Sequence, residues 1–211
     1  MSQQIQENLA LVDTQDHQIG VMEKYQTHQN PPQLHRASSV WLFNDKGETL
    51  FQKRSIKKIV GANLWANTVC GNVYDGESYK DCALRRLKIE LNITDVKIEP
   101  IYTFSYKAFC NEKYSEHEID RVFIGKYKGE VKPTPEEASE VNWFNWNELL
   151  NKVRQVDMPD PQDSLEMSLG ELTVKTKPQI LEFAGQQIEI VPWTIMMLQD
   201  DKLVQAIKDF A

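Results

Sequence analysis

The stretch NTVCGNVYDGESYKDCALRRLKIE (Asn67–Glu90) decides the fold. It reads as a strand end carrying Cys70, a glycine-containing loop from Gly71 to Gly76, and then a helix. Ser78 is a natural N-cap, and Asp81 three residues on approximates a capping box. From Tyr79 onward Ala83, Leu84, Leu87 and Leu91 trace one apolar helix face. Cys82, Arg86 and Glu90 recur at i, i+4 and i+8 and share a neighbouring face. Asn92 is an acceptable stop. Cys70 therefore sits where a strand meets a loop, a position at which scaffolds present reactive groups.

Working outward, residues 8–24 alternate between apolar and polar and predict a short hairpin. Residues 25–36 read as a polar loop, since Asn30-Pro31-Pro32 forbids regular structure; the loop holds His28 and His35. Ala37–Phe43 and Glu48–Arg54 form a second hairpin about the turn Asn44–Gly47. Lys53, Arg54, Lys57 and Lys58 follow as a basic cluster, and Leu64–Cys70 is the next strand. Beyond the helix, Ile98–Ala108 and Ile119–Tyr127 predict a long antiparallel pair joined by a polar turn at Asn111–Tyr114. Glu140–Phe144 reads as a strand and Trp146–Val153 as a helix. Residues 157–164 read as a linker, and Leu172–Val191 as an added hairpin around Ala184-Gly185. Pro192–Phe210 predicts one amphipathic helix with Pro192 at its start. Mixed strands with a few helices give an α+β domain, a single unit over residues 1–211 with 157–191 as a candidate insertion.

The chain has 211 residues, 41% hydrophobic and 26% charged, which is globular composition. A net charge of −7 and a pI of about 5.2 argue against nucleic acid or an anionic membrane as the main partner. The start lacks a signal-peptide pattern, and no apolar run approaches a membrane span. The expectation is a cytoplasmic protein, monomeric or weakly dimeric. Cys70, Cys82 and Cys110 suggest neither a disulfide framework nor a zinc motif.

Four constellations bear chemistry. Glu116 and Glu118 lie two apart and share a face on a strand. The commoner fate of such a pair is a solvated face; the alternative is that a cation or a raised pKa relieves their repulsion. His28 and His35 are ordinarily exposed loop residues, yet two imidazoles and two carboxylates are a donor set for a divalent metal. Cys70 is ordinarily a small buried hydrophobe, or else a partly exposed thiol with a charged partner. Arg86 and Glu90 are ordinarily a surface pair, worth roughly 0.3–0.5 kcal/mol. The alternative has Arg86 meeting a phosphate and Glu90 its Mg²⁺.

From Gly71 to Ile93 the chain resembles the Nudix box: Gly71, Glu77, Arg85 and Glu90 match. Arg86 and Ile89 replace two of the box glutamates, and Asn92 its later glycine. Over roughly residues 8–155 the sequence resembles type 1 isopentenyl diphosphate isomerases, a branch with a degenerate box of this kind. The matching segments are EKYQTH (Glu23–His28), QLHRA (Gln33–Ala37), Lys53–Lys58, NTVCG (Asn67–Gly71), RRLKIEL (Arg85–Leu91), YKA (Tyr106–Ala108) and EHEID (Glu116–Asp120). A weaker match lies at Pro192-Trp193. The resemblance implies a Nudix-like mixed sheet flanked by helices, with added N-terminal strands and a C-terminal helix. It implies interconversion of isopentenyl and dimethylallyl diphosphate. Cys70 and Glu116 would form the acid–base pair, Tyr106 would hydrogen-bond at the glutamate side, and Trp193 would face the cation. His28, His35, Glu116 and Glu118 would hold a divalent metal (Mn²⁺, Mg²⁺ or Zn²⁺). Lys24, Arg54, Lys58 and Arg86 would bind the diphosphate, and Glu90 its Mg²⁺. Where the family has a third metal histidine, this chain has Asn72. A Nudix-type hydrolase of another diphosphate, or a diphosphate-binding protein with an impaired metal site, are the alternatives.

Overall fold

In the computed structural model of this chain, residues 7–156, 171–174, 179–183 and 186–210 are described. Twelve strands and five helices are found among them. In order they are β1 (Asn8–Val12), β2 (Gln18–Glu23), α1 (Lys24–His28), β3 (His35–Phe43), β4 (Glu48–Arg54), β5 (Trp65–Ala66), β6 (Val69–Asn72) and α2 (Tyr79–Leu91). Then follow β7 (Ile98–Phe109), β8 (Ser115–Lys126), β9 (Ala138–Asn145), α3 (Trp146–Val153), β10 (Glu171–Val174), β11 (Gln179–Phe183), β12 (Gln186–Ile190), α4 (Pro192–Gln199) and α5 (Asp201–Phe210). This is the expected mixed sheet with flanking helices.

Strand β3 is the centre. It runs parallel to β8, His35 opposite Glu118, and antiparallel to β6, Ser39 opposite Cys70. Beyond β8 lies β7, paired with it as a long hairpin in which Tyr106 stands opposite Glu118. The main strand order is β10-β7-β8-β3-β4-β5-β12-β11, with β1 joining β3, β9 joining β4 and β2 joining β1.

Because side chains alternate along a strand, this register divides the sheet into two faces. On one face Val40, Leu42, Val69 and Phe123 pack with Cys82, Ala83, Leu87 and Leu91 of α2. Burying a leucine of this kind contributes roughly 1.5–3 kcal/mol. On the other, Trp41 and Phe43 begin an aromatic core with Phe51, Trp146, Phe144 and the helix α4. Further along the same face the residues are polar, namely His35 and Ser39, Cys70 and Asn72, and Glu116, Glu118 and Asp120. Tyr106 joins them from β7.

Several expectations change at the level of elements. The expected polar loop 25–36 is shortened at both ends: α1 takes Lys24–His28, because the Glu23 carboxylate accepts from Gln26 N and caps it, and His35 and Arg36 already belong to β3. The expected strand Leu64–Cys70 is two strands. The chain changes partners at Asn67 and Thr68, whose side chains replace ladder bonds: Asn67 Nδ2 donates to Val40 O and Val69 O, and Thr68 Oγ1 to Leu50 O. The single C-terminal helix is α4 and α5, broken at Asp200, whose carboxylate accepts from Lys202 N and Leu203 N and starts the second helix. Arg86 and Glu90 form a buried pair rather than a surface one, since both side chains lie between α2 and the sheet. The hairpin of β11 and β12 forms as expected; its turn at Ala184-Gly185 and the linker 157–164 lie outside the described residues. Among the described residues no helix is long and apolar enough to cross a membrane.

Candidate active site

A cleft of about 800 Å³ opens over the polar end of the sheet face. Cys70, Asn72, Tyr106, Glu116, Glu118 and Trp193 line it, as do Lys24, Arg54, Lys58 and Arg86. Residues expected to act together from opposite ends of the sequence therefore meet in one space. Lys57 lines it as well, while Lys53 of the same basic run is absent from the wall.

At one end His28, His35, Glu116 and Glu118 converge, their ligand atoms all within 4.8 Å of one another. His28 Nε2 lies 3.0 Å from Glu116 Oε2, and His35 Nε2 3.3 Å from Glu118 Oε1. The remaining nitrogens contact backbone oxygens: His28 Nδ1 at 2.6 Å from Lys24 O, His35 Nδ1 at 2.8 Å from Gln33 O. Such bonds place the Nδ1 hydrogens and leave the Nε2 lone pairs facing the carboxylates. A lone pair aimed at a carboxylate is repulsive unless a cation or a proton lies between them. Glu116 Oε2 is buried, and the His28 nitrogen 3.0 Å away satisfies it only when that nitrogen carries a proton. These residues fit a divalent cation, a borderline to hard one by their N₂O₂ donor set. In the protein alone, burial disfavours charge on His28, but the Glu116 carboxylate more than offsets this and raises the imidazole to about 9. Glu116 is correspondingly held below the usual carboxylate range, its burial outweighed by His28.

Tyr106 donates to Glu118 Oε2 at 2.6 Å, so the glutamate side at which it binds is Glu118 rather than Glu116. The β7–β8 register explains this, because Tyr106 stands directly across from Glu118 and Ala108 from Glu116. Asn72 Nδ2 donates to the other oxygen of Glu118 at 2.9 Å and lies 3.2 Å from His35 Nε2. Asn72 thus sits against the cluster without a metal-binding nitrogen of its own.

At the other end the cations are partnered. Lys24 pairs with Glu7 at 2.6 Å. Arg86 bonds Glu90 Oε1 at 2.7 Å and Glu137 Oε2 at 2.8 Å, and Lys58 shares Glu137. Glu90 sits behind Arg86, its second oxygen taken by Gln52 Nε2 at 2.6 Å. The Arg54 guanidinium lies 5.3 Å from the Trp193 ring centre and bonds Val60 O. Gly71 is required here, since a Cβ on it would fall 2.5 Å from Arg86 Cγ. Glu77 and Arg85, both matched residues of the box, pair with each other at 2.6 Å and hold the loop between β6 and α2. Sequence reasoning missed Glu7, Gln52 and Glu137. They come from distant segments and carry no spacing signal.

Cys70 Sγ lies 3.1 Å from Asn67 Oδ1 and 3.3 Å from Ser39 Oγ. Burial, then the nearby Asp120, push its thiol up to about 12. Asp120 is itself raised to about 8 by burial and by Glu118.

Residues 33–162 match the NUDIX domain family. An isopentenyl-diphosphate Delta-isomerase of Klebsiella pneumoniae (strain 342) is 33% identical over 148 residues, covering 70% of this chain and 80% of that protein. One from Serratia proteamaculans (strain 568) is 35% identical over 147 residues, covering 70% and 81%. Among solved structures, a Deinococcus radiodurans protein superposes with a TM-score of 0.58 at 21% identity, covering 70% of this chain and 89% of that one, which supports the fold. On the sequence match and the fold together, the chain belongs to the isopentenyl-diphosphate Delta-isomerase family of the Nudix fold.

Proposed function

We propose that this enzyme interconverts isopentenyl and dimethylallyl diphosphate by protonating the carbon–carbon double bond and removing a proton from the resulting carbocation. The observation that carries the reading is the meeting, in one cleft, of a thiol, a largely buried carboxylate pair and four cations. Cys70 and the Glu116–Glu118 pair are the acid–base groups, on strands that flank β3. Tyr106 holds Glu118 in place, and its own ionisation is strongly opposed by burial and by that carboxylate.

Lys24, Arg54, Lys58 and Arg86 receive the diphosphate. Glu90 and Glu137 sit on Arg86, so a diphosphate that takes up Arg86 needs Mg²⁺ to replace its charge beside these carboxylates, and Glu90 is the proposed oxygen ligand for it. Trp193 presents its ring to the isoprenoid end, where a ring face stabilises a cation. A tertiary cation is trapped by water, so this end must exclude it. A divalent metal in the His28–His35–Glu116–Glu118 cluster, Mn²⁺, Mg²⁺ or Zn²⁺, would supply the charge that keeps both carboxylates ionised and fixed.

The test is deuterium incorporation from heavy water into isopentenyl diphosphate, with and without divalent metal. Cys70→Ala, Glu116→Gln and Glu118→Gln are expected to lower turnover by about 10²–10⁴-fold, the usual yield of a positioned acid or base, with the fold retained in each and Tm little changed in Cys70→Ala. Full exchange in Cys70→Ala, or phosphate release in place of exchange, would overturn the reading.

A further inference from the structure

Asp120 is an interior carboxyl group that the scheme above leaves without a task. It is 2% exposed. Its Oδ1 has no hydrogen-bond partner, and among the described residues no cation pairs with it. Its Oδ2 accepts from Ser39 Oγ at 2.5 Å. A buried carboxyl without a cation is costly, and an apolar residue of similar size commonly does as well or better for stability.

Ser39 is also the residue that touches Cys70, Oγ to Sγ at 3.3 Å. The second polar neighbour of that sulfur is Asn67 Oδ1, at 3.1 Å. Asn67 is anchored with its amide nitrogen on Val40 O and Val69 O, and its oxygen accepts from Thr194 Oγ1 at 3.0 Å. The atom it offers to sulfur is therefore an acceptor. Ser39 has a single hydroxyl hydrogen. Given to Asp120, it leaves Ser39 facing the sulfur with lone pairs alone. This direction holds for the carboxylate and for the neutral acid with its proton on Oδ1.

Resting on the reading of Cys70 as an acid–base group, we propose that Asp120 is a positioning residue that takes the Ser39 hydrogen. Ser39 and Asn67 then form an all-acceptor seat that keeps the Cys70 sulfur protonated and fixed in direction. The charged groups facing the sulfur are Asp120 from β8, which opposes its ionisation, and Arg54 from β4, which favours it. Without an acceptor at position 120 the Ser39 hydroxyl is free to turn its hydrogen toward sulfur and stabilise the thiolate instead.

The test compares Asp120→Ala with Asp120→Asn, whose amide oxygen can still accept from Ser39. Iodoacetamide alkylation of Cys70, followed by peptide mass, is expected to be about tenfold faster in Asp120→Ala, because reactivity follows the thiolate fraction. Its kcat should fall about tenfold with KM within about twofold, the pattern of a group acting on the chemical step. Tm should hold or rise. Asp120→Asn should restore both rates to near those of the parent. Unchanged alkylation in Asp120→Ala, or an Asn variant as impaired as the Ala one, overturns the proposal. Should Asp120→Ala fail to fold, Asp120→Leu gives the same comparison, since it fills the space without an acceptor and leaves the Ser39 hydroxyl in place. Alkylation does not depend on isomerisation. A parent that lacks exchange activity but shows the alkylation pattern sinks the isomerase reading alone.

Discussion

His28 shows how a single side chain becomes a site. Its Nδ1 is held by Lys24 O, one helical turn back, so α1 itself aims Nε2 at Glu116. A polar loop would have left the ring free to turn; the cap from Glu23 makes the aim reproducible. Without metal, the ring carries the positive charge that the cluster requires. Its folded value of about 9 stands above its ordinary 6.5, so its stabilising contribution is fully present below 6.5 and is lost as pH rises through about 9. The Glu116 contribution has the opposite sign, being present above its ordinary 4.5 and lost as the solution becomes acidic. Metal-free protein should therefore be most stable, as far as this pair decides, at mildly acidic pH, with Tm falling from pH 6 to pH 9. Glu116→Gln removes the partner and should flatten that slope; thermal melts across the range measure it. An unchanged slope would mean that His28 is not the group that titrates.

At the scale of elements, the segment from β6 to α2 was legible and its surroundings less so. The cap at Ser78 and the apolar face of α2 are written in consecutive residues, and the structure has both. The break between β5 and β6 is not. It depends on Asn67 and Thr68 reaching backbone oxygens on Val40 and Leu50, residues brought near by pairing of strands far apart in sequence. The same holds for Tyr106 choosing Glu118 over Glu116, which is a matter of register across β7 and β8. Ser39 and Asp120 look like ordinary strand residues until β6, β3 and β8 lie side by side. What was visible locally at Gly71 is a loop glycine; the reason for it is Arg86, pinned by Glu90 and Glu137, with no room for a Cβ. Gly71→Ala must push that arginine from its ion pairs. Breaking a buried pair costs about 3–5 kcal/mol, and the loss should appear as a lowered Tm. It should also appear as diphosphate affinity weakened by at least about tenfold, measured by calorimetric titration with inorganic pyrophosphate and Mg²⁺. Retention of both would show that Arg86 moves without penalty and is not the anchor of the anion.

The whole molecule is assembled so that residues from distant segments complete one site. His28 comes from the N-terminal hairpin and helix, His35 from β3, and Glu116 and Glu118 from β8, while α4 supplies Trp193 and Thr194 to the thiol end. Each segment has its own packing, yet the cluster exists only when all are docked. A ligand that binds such a cluster binds the folded state alone, so its binding free energy adds to the stability of the fold. For a single site at a hundred times its dissociation constant this is about 2.7 kcal/mol. In a protein of this size, about 1 kcal/mol moves Tm by roughly 2–4 °C. Saturating Mn²⁺ should accordingly raise Tm by about 5–10 °C over protein treated with chelator. The same addition should do little to His35→Ala, whose ring is fully buried behind the carboxylates and contributes Nε2 to the cluster. Cys70→Ala should retain the full rise, because the sulfur is not among the ligand atoms of the cluster. A rise that survives in His35→Ala would place the stabilising ion elsewhere, beside Glu90 and Glu137 at the diphosphate end; a rise lost in Cys70→Ala would show that the sulfur acts on the cluster through β3, which lies between β6 and β8.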